Sequence, residues 1–218
     1  MSERRNAFQR AVAAGWVPPP RWSVPREWIG DRCFIICSGA SVNAQRKLIP
    51  QLKGRIIAVK QAVTLRPDAD VLWFGGESMI ELMLPLVPHF KGTYMAVRGK
   101  SCPGLDAKRV GRHKDHTTLS DDPTMVCGYD TGTSAINLAY HFGVSEVVML
   151  GYDMTGGRWF EKEIHHPMPV IPESHFSGHM APLTALAKDC ERKGLKVWNA
   201  SPISHVKGFE KRPLESFL

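Results

Sequence analysis

Long apolar runs are missing from this 218-residue chain. No stretch approaches the ~20 apolar residues that span a bilayer, so no transmembrane segment is expected. The start, Met1-Ser2-Glu3-Arg4-Arg5-Asn6, leads into no apolar signal core. Cysteine is sparse: the five are Cys33, Cys37, Cys102, Cys127 and Cys190, an odd number, with no pair at zinc-knuckle spacing. A disulfide framework is thereby disfavoured, and reduced thiols in a cytoplasm fit best. Neither GxGxxG nor a P-loop occurs, so two familiar phosphate fingerprints are absent. There is no internal repeat and no low-complexity tract.

An apolar fraction of 43% over this length predicts one soluble globular domain with a substantial core. Residues 1–30 read as an irregular arm, with a short helix over 4–14 and stops at Pro18-Pro19-Pro20 and Pro25. Trp16, Trp22 and Trp28 are its expected anchors. Residues 31–218 form the domain proper. The net charge of +7, with nine histidines besides, is either a solubility charge or a preference for acidic partners. The densest basic group, Lys108, Arg109, Arg112, His113, Lys114 and His116, has no aromatic residue interleaved for stacking bases.

Strand and helix signals then alternate. Strands are expected at 33–37, 55–59, 71–74, 93–97, 146–150 and 195–198, short and apolar as strands buried on both faces should be. Helices are expected at 42–52, 77–90, 132–142 and 179–193, with Gly143 and Gly194 placed as stops. The alternation predicts an α/β fold: a Rossmann-like, mostly parallel sheet with helices on both faces. Ligands in such sheets bind outside the carboxyl ends of the strands, so the loops after those strands carry the site.

Five segments hold candidate chemistry. Cys33-Phe34-Ile35-Ile36-Cys37 runs into Ser38-Gly39-Ala40-Ser41 and a helix start, which is either an anion site or an ordinary turn. Asp130-Thr131-Gly132-Thr133-Ser134 opens a second helix, as a polar contact or a plain cap. Val147-Val148-Met149-Leu150-Gly151-Tyr152-Asp153 places an acid at a strand end, for a ribose, a base or a histidine, or else for a cap or ion pair. A histidine-rich loop carries His165, His166, His175 and His179. Histidine is the general base suited to neutral pH. His175 and His179 also have i, i+4 spacing, but no Glu follows His175, so the HExxH metal pattern is absent. Asn199-Ala200-Ser201-Pro202-Ile203-Ser204 ends a last strand in a polar loop.

In this order the segments resemble the bacterial sialyltransferase family that includes the Campylobacter lipooligosaccharide enzymes. Ser38-Gly39-Ala40-Ser41 corresponds to that family's glycine loop, Asp130-Thr131-Gly132 to its Ser/Thr-Ser-Gly helix start, and Gly151-Tyr152-Asp153 to its Gly-Ile-Asp strand end. Ser174-His175-Phe176-Ser177-Gly178-His179 is similar to its Ser-His-Tyr-x-Gly-His segment, the most specific of the islands. Asn199-Ala200-Ser201-Pro202 resembles its terminal loop. A broader group shares the glycine loop and the Gly-x-Asp strand: phage proteins of unassigned role and archaeal hydroxymethylpterin diphosphokinases.

The resemblance implies sugar transfer from a nucleotide-activated donor, CMP-linked in the family, to a hydroxyl acceptor. That acceptor would be a glycan or, in a phage setting, a modified nucleic-acid base. No metal is implied. His175 would be the general base, with Asp153 bordering the base or ribose. Ser38, Gly39, Ser41, Thr131, Gly132, Thr133, Asn199 and Ser201 would contact the donor, and Lys60 or Arg98 would steady the departing phosphate. Two family asparagines near the cytidine are replaced by Lys60 and Gly75, and Trp159 and Phe160 lie where donor-binding tyrosines would. The pterin enzymes imply the alternative, a Mg²⁺-dependent ATP diphosphotransferase. Their acid-rich strand end has no match after Val71-Leu72-Trp73-Phe74-Gly75-Gly76 before Glu77. A non-catalytic nucleotide or nucleic-acid binding module and a zinc site on the histidine loop are the remaining readings.

Overall fold

The computed structural model describes residues 10–75, 83–99, 106–161 and 172–218. Nine strands form one sheet: β1 (Arg32–Ile36), β2 (Arg55–Val59), β3 (Val71–Gly75), β4 (Tyr94–Arg98), β5 (Lys108–Arg112), β6 (Met125–Val126), β7 (Glu146–Leu150), β8 (Lys196–Asn199) and β9 (Glu210–Lys211). Their order is β6-β5-β4-β3-β2-β1-β7-β8-β9, and every pairing is parallel. The fold is the Rossmann-like α/β architecture that the alternation predicts. Because each strand projects successive side chains to opposite faces, Cys33, Ile35, Ile57, Val71, Trp73, Val147 and Met149 enter one core. Phe34, Ile36, Ile56, Leu72, Phe74, Val148 and Leu150 enter the other. Burying one such aliphatic or aromatic side chain contributes roughly 1.5–3 kcal/mol.

The helices lying wholly within the described residues are α1 (Val42–Gln45), α2 (Thr131–Phe142) and α3 (Met180–Arg192), and residues 10–13 are also helical, within the span 4–14 expected to form a short helix. The apolar positions of α2 and α3, among them Ile136, Phe142, Leu183 and Leu186, share the first core. Two expected helices differ. The span 42–52 is a single turn followed by a 3-10 turn, Ile49–Gln51, with Pro50 inside it; proline has no N–H to continue the ladder. Of 77–90, residues 77–82 lie outside the described residues, Met83 is helical, and 84–90 is turns and a 3-10 segment, Val87–His89, around Pro85 and Pro88. Strands β5, β6 and β9 were not expected. β5 reads Lys-Arg-Val-Gly-Arg, a charged, glycine-containing run suited to the margin of a sheet, and β6 and β9 are two residues each.

The arm lies along the β4–β5 side. Trp28 stacks on Phe142 at 3.8 Å, and Trp22 meets the same ring at 5.9 Å. The Trp22 N–H donates to the Arg109 carbonyl at 2.7 Å. Cys33, Cys37, Cys127 and Cys190 are buried free thiols. Among the described residues no helix is long and apolar enough to cross a membrane.

Candidate functional site

Strand order reverses between β1 and β7, whose neighbours run off in opposite directions. Loops leaving adjacent carboxyl ends at such a point diverge and open a crevice. A cleft of about 540 Å³ lies there. Its walls are Ser38 and Gly39 after β1, Lys60 and Gln61 after β2, Asp130, Thr131 and Gly132 opening α2, and Tyr152 and Asp153 after β7. Gly156, Gly157, Arg158 and Phe160 border it, and His175 and Phe176 stand opposite in a 3-10 segment, Glu173–His179.

The β1 loop is closed by the protein's own carboxylate. Asp153 accepts from the Ser41 N–H at 2.8 Å and from the Ser41 hydroxyl at 2.5 Å. Both residues are buried, Asp153 to 2% exposure. The fit depends on Gly39, where a Cβ would sit 2.5 Å from Asp153 Oδ2 and 2.5 Å from the Gly151 carbonyl. Two expectations change. Ser41 neither faces a ligand phosphate nor caps α1 with its side chain. Asp153 lines the cleft, but its oxygens are engaged by Ser41, so it is a clamp between the two switch-point loops rather than a free base. Ser38 and Gly39 do reach the cleft wall.

Asp130 caps α2, accepting from the Thr133 N–H at 3.0 Å and also from the Thr133 hydroxyl. The buried Tyr152 hydroxyl donates to Asp130 at 3.1 Å and lies 2.6 Å from the Thr133 hydroxyl. Burial, and then the Asp130 charge, push the Tyr152 phenol well up. Thr131 and Gly132 line the cleft as expected; Thr133 does not, because its hydroxyl is spent on this knot. Asn199 and Ser201 also fall outside the wall. Asn199 accepts from the Ser201 N–H at 3.0 Å and donates to the Ser204 hydroxyl at 2.8 Å. The Ser201 hydroxyl accepts from the Tyr152 N–H at 2.8 Å. These residues brace the β7 loop from behind.

Lys60 is placed differently. Its backbone is left-handed, with φ of 56°, and the other described non-glycine residue with positive φ, Met154, lines the same cleft. Strained backbone of this kind persists where surrounding structure enforces it and clusters at ligand sites. The Lys60 ammonium makes no hydrogen bond or ion pair among the described residues. Burial lowers its pKa; Asp130 opposes the shift, and Arg98 and Arg158 add to it. Among the described residues, cations thus gather at the end of the cleft beside Asp130. Arg98 itself is not free: its guanidinium donates to the Gly128 and Asp130 carbonyls at 3.0 and 2.8 Å and so positions the turn into α2.

His175 is exposed at the cleft mouth, its ring 5.6 Å from that of His179. His165 and His166 lie outside the described residues. Among the described residues no three His, Cys, Asp or Glu side chains are grouped as metal ligands. Sequence reasoning missed Gln61, Met154 and Arg158 as wall residues, whereas Phe160 lines the cleft in the region expected to hold donor-binding residues. Gln61 directly follows Lys60, and its buried carboxamide oxygen has no hydrogen-bond partner among the described residues.

No protein-family model and no curated protein sequence matches the chain. In three dimensions it is similar to the MAf glycosyltransferase from Magnetospirillum magneticum AMB-1, with a TM-score of 0.58 and 16% identity. The match covers 92% of this chain and 36% of that one, so the chain spans little more than a third of that protein's length. At that identity the likeness is one of fold: this chain has a Rossmann-like α/β fold of the kind found in a glycosyltransferase.

Proposed function

We propose that this protein transfers a sugar from a nucleotide-activated donor to a hydroxyl acceptor. The observation that carries the reading is Lys60: a partly desolvated ammonium beside the start of α2, with no hydrogen-bond or ion-pair partner among the described residues, in a cleft that also holds a histidine at its mouth. An ammonium stripped of water and not bonded to a carboxylate is a seat for an anion. The donor phosphate would lie on Lys60 with the N–H groups of the α2 start, and the sugar would point toward His175. His175 takes the acceptor's proton as the acceptor oxygen bonds to the anomeric carbon, and the bond to the nucleotide phosphate breaks. The electron pair leaves with that phosphate, next to Lys60 and Arg158. The charge is met by side chains, so the reaction runs without Mg²⁺. The likeness to a glycosyltransferase fold and the resemblance of residues 174–179 to a sialyltransferase segment support this reading.

Incubating the purified chain with CMP-, UDP- and GDP-linked sugars, with and without EDTA, tests it. Release of the nucleotide from one of them, unaffected by EDTA, is the expected result. His175→Ala should slow turnover by about 10²–10⁴-fold while donor binding persists. Turnover of ATP alone, dependent on Mg²⁺, would replace this reading with the diphosphotransferase one.

A further inference from the structure

Beside the cleft, the carboxyl edge of the sheet carries rings and cations that the transfer reaction does not use. All strands are parallel, so Arg112 at the end of β5, and the turn after it, emerge on the same edge as the cleft. The segment after β6 runs along that edge to Asp130, in the cleft wall. Within it, the Tyr129 ring lies 4.1 Å from His116 and 5.2 Å from His179, stacked on the latter, and remains 43% exposed. His179 in turn neighbours His175 at the cleft mouth. The basic run 108–116 lacks aromatics in sequence; the fold supplies them from two other segments.

Arg112 and Lys114 are exposed and make no ion pair or hydrogen bond among the described residues. Burial lowers the His116 pKa, and Arg112 and Arg98 lower it further, so both guanidinium groups act on this ring. Arg98 acts likewise on Lys60. Positive potential therefore continues from the cleft to the rim. Two acids lie among these cations, Asp115 held by Thr117 and Thr118 and Asp130 held by Thr133 and Tyr152; both keep their charge, and Lys60, Arg98, Arg112 and Lys114 outnumber them.

We propose that this rim binds single-stranded nucleic acid, with a base against the exposed Tyr129 ring and the phosphates along Arg112 and Lys114. Flat rings beside unpaired cations suit a strand whose bases are free to stack. A sulfated glycan would satisfy the charges but not the rings. Binding stands apart from the transferase reading; only the further step, that the strand presents the hydroxyl acceptor to His175, rests on it.

Fluorescence anisotropy of the full chain with a labelled single strand of about 20 nucleotides, from about 50 to 200 mM salt, tests this. Binding should weaken with salt, and R112Q/K114Q should lower the slope of log K against log salt by about 0.7 per charge removed. Tyr129→Ala should weaken binding roughly 5- to 100-fold, and Tyr129→Phe should retain it. Lys108→Gln, at the opposite end of β5, should change nothing. No strand binding, binding indifferent to Tyr129 and Arg112/Lys114, or a preference for heparin over the strand would overturn the proposal. Nucleotide-sugar turnover by the wild-type chain separates the two readings: turnover without strand binding defeats this one alone, and strand binding without turnover defeats only the transferase reading.

Discussion

At the scale of the residue, Lys60 and Gly39 hold opposite positions. A left-handed non-glycine backbone costs on the order of 1–3 kcal/mol, and the Lys60 charge is partly desolvated. Lys60→Gly should therefore leave the melting temperature unchanged or higher by calorimetry, while removing donor binding. A large fall would mean that Lys60 is structural. Gly39 tolerates no side chain, since a Cβ would meet the Asp153 carboxylate and the Gly151 carbonyl. Gly39→Ala should cost about 1–3 kcal/mol in urea unfolding. The polar types at Ser41 and Asp153 were legible in the sequence, but their mutual bond was not. They lie in separate loops, and only the parallel pairing of β1 with β7 brings them together. Thr133, Asn199 and Ser201 misled for the same reason: a hydroxyl or amide beside a ligand and one bracing a loop look identical until its partner is known.

At the scale of the element, α2 is the best specified. It has Asp130 as its N-cap, an apolar face, and Gly143 in the left-handed conformation at its end, and the sequence marks both ends. Asp130→Ala should cost about 0.5–2 kcal/mol as a lost cap, and more because Tyr152 and Thr133 lose their acceptor. A cost near zero would show that the knot is dispensable. α1 failed as a long helix because Pro50 interrupts it and because Ser41 bonds Asp153 instead of capping. The central strands announced themselves by apolar runs buried on both faces. β5, β6 and β9 did not: two are too short to show periodicity, and β5 carries the polar residues of a marginal strand.

At the scale of the molecule, the switch between β1 and β7 locates the cleft, and a buried histidine couples the fold to pH. His141, on α2, lies 2.7 Å from the Met125 carbonyl through Nε2 and is buried, which lowers its pKa. The unfolded chain then binds the proton more readily. The stabilisation is full above the unfolded value of about 6.5 and is lost as pH falls through the folded value. Melting temperature should drop between about pH 7 and 5, and His141→Gln should flatten that drop; an equal drop in the variant would assign it elsewhere. The central claim is that the cleft holds a nucleotide-activated donor on Lys60. Thermal shift of the wild-type chain and Lys60→Gln against nucleotide sugars in EDTA tests it most directly. The account predicts stabilisation of the wild type by one such donor and none of the variant. Equal stabilisation of both, or no response of the wild type to any nucleotide or nucleotide sugar, would contradict it.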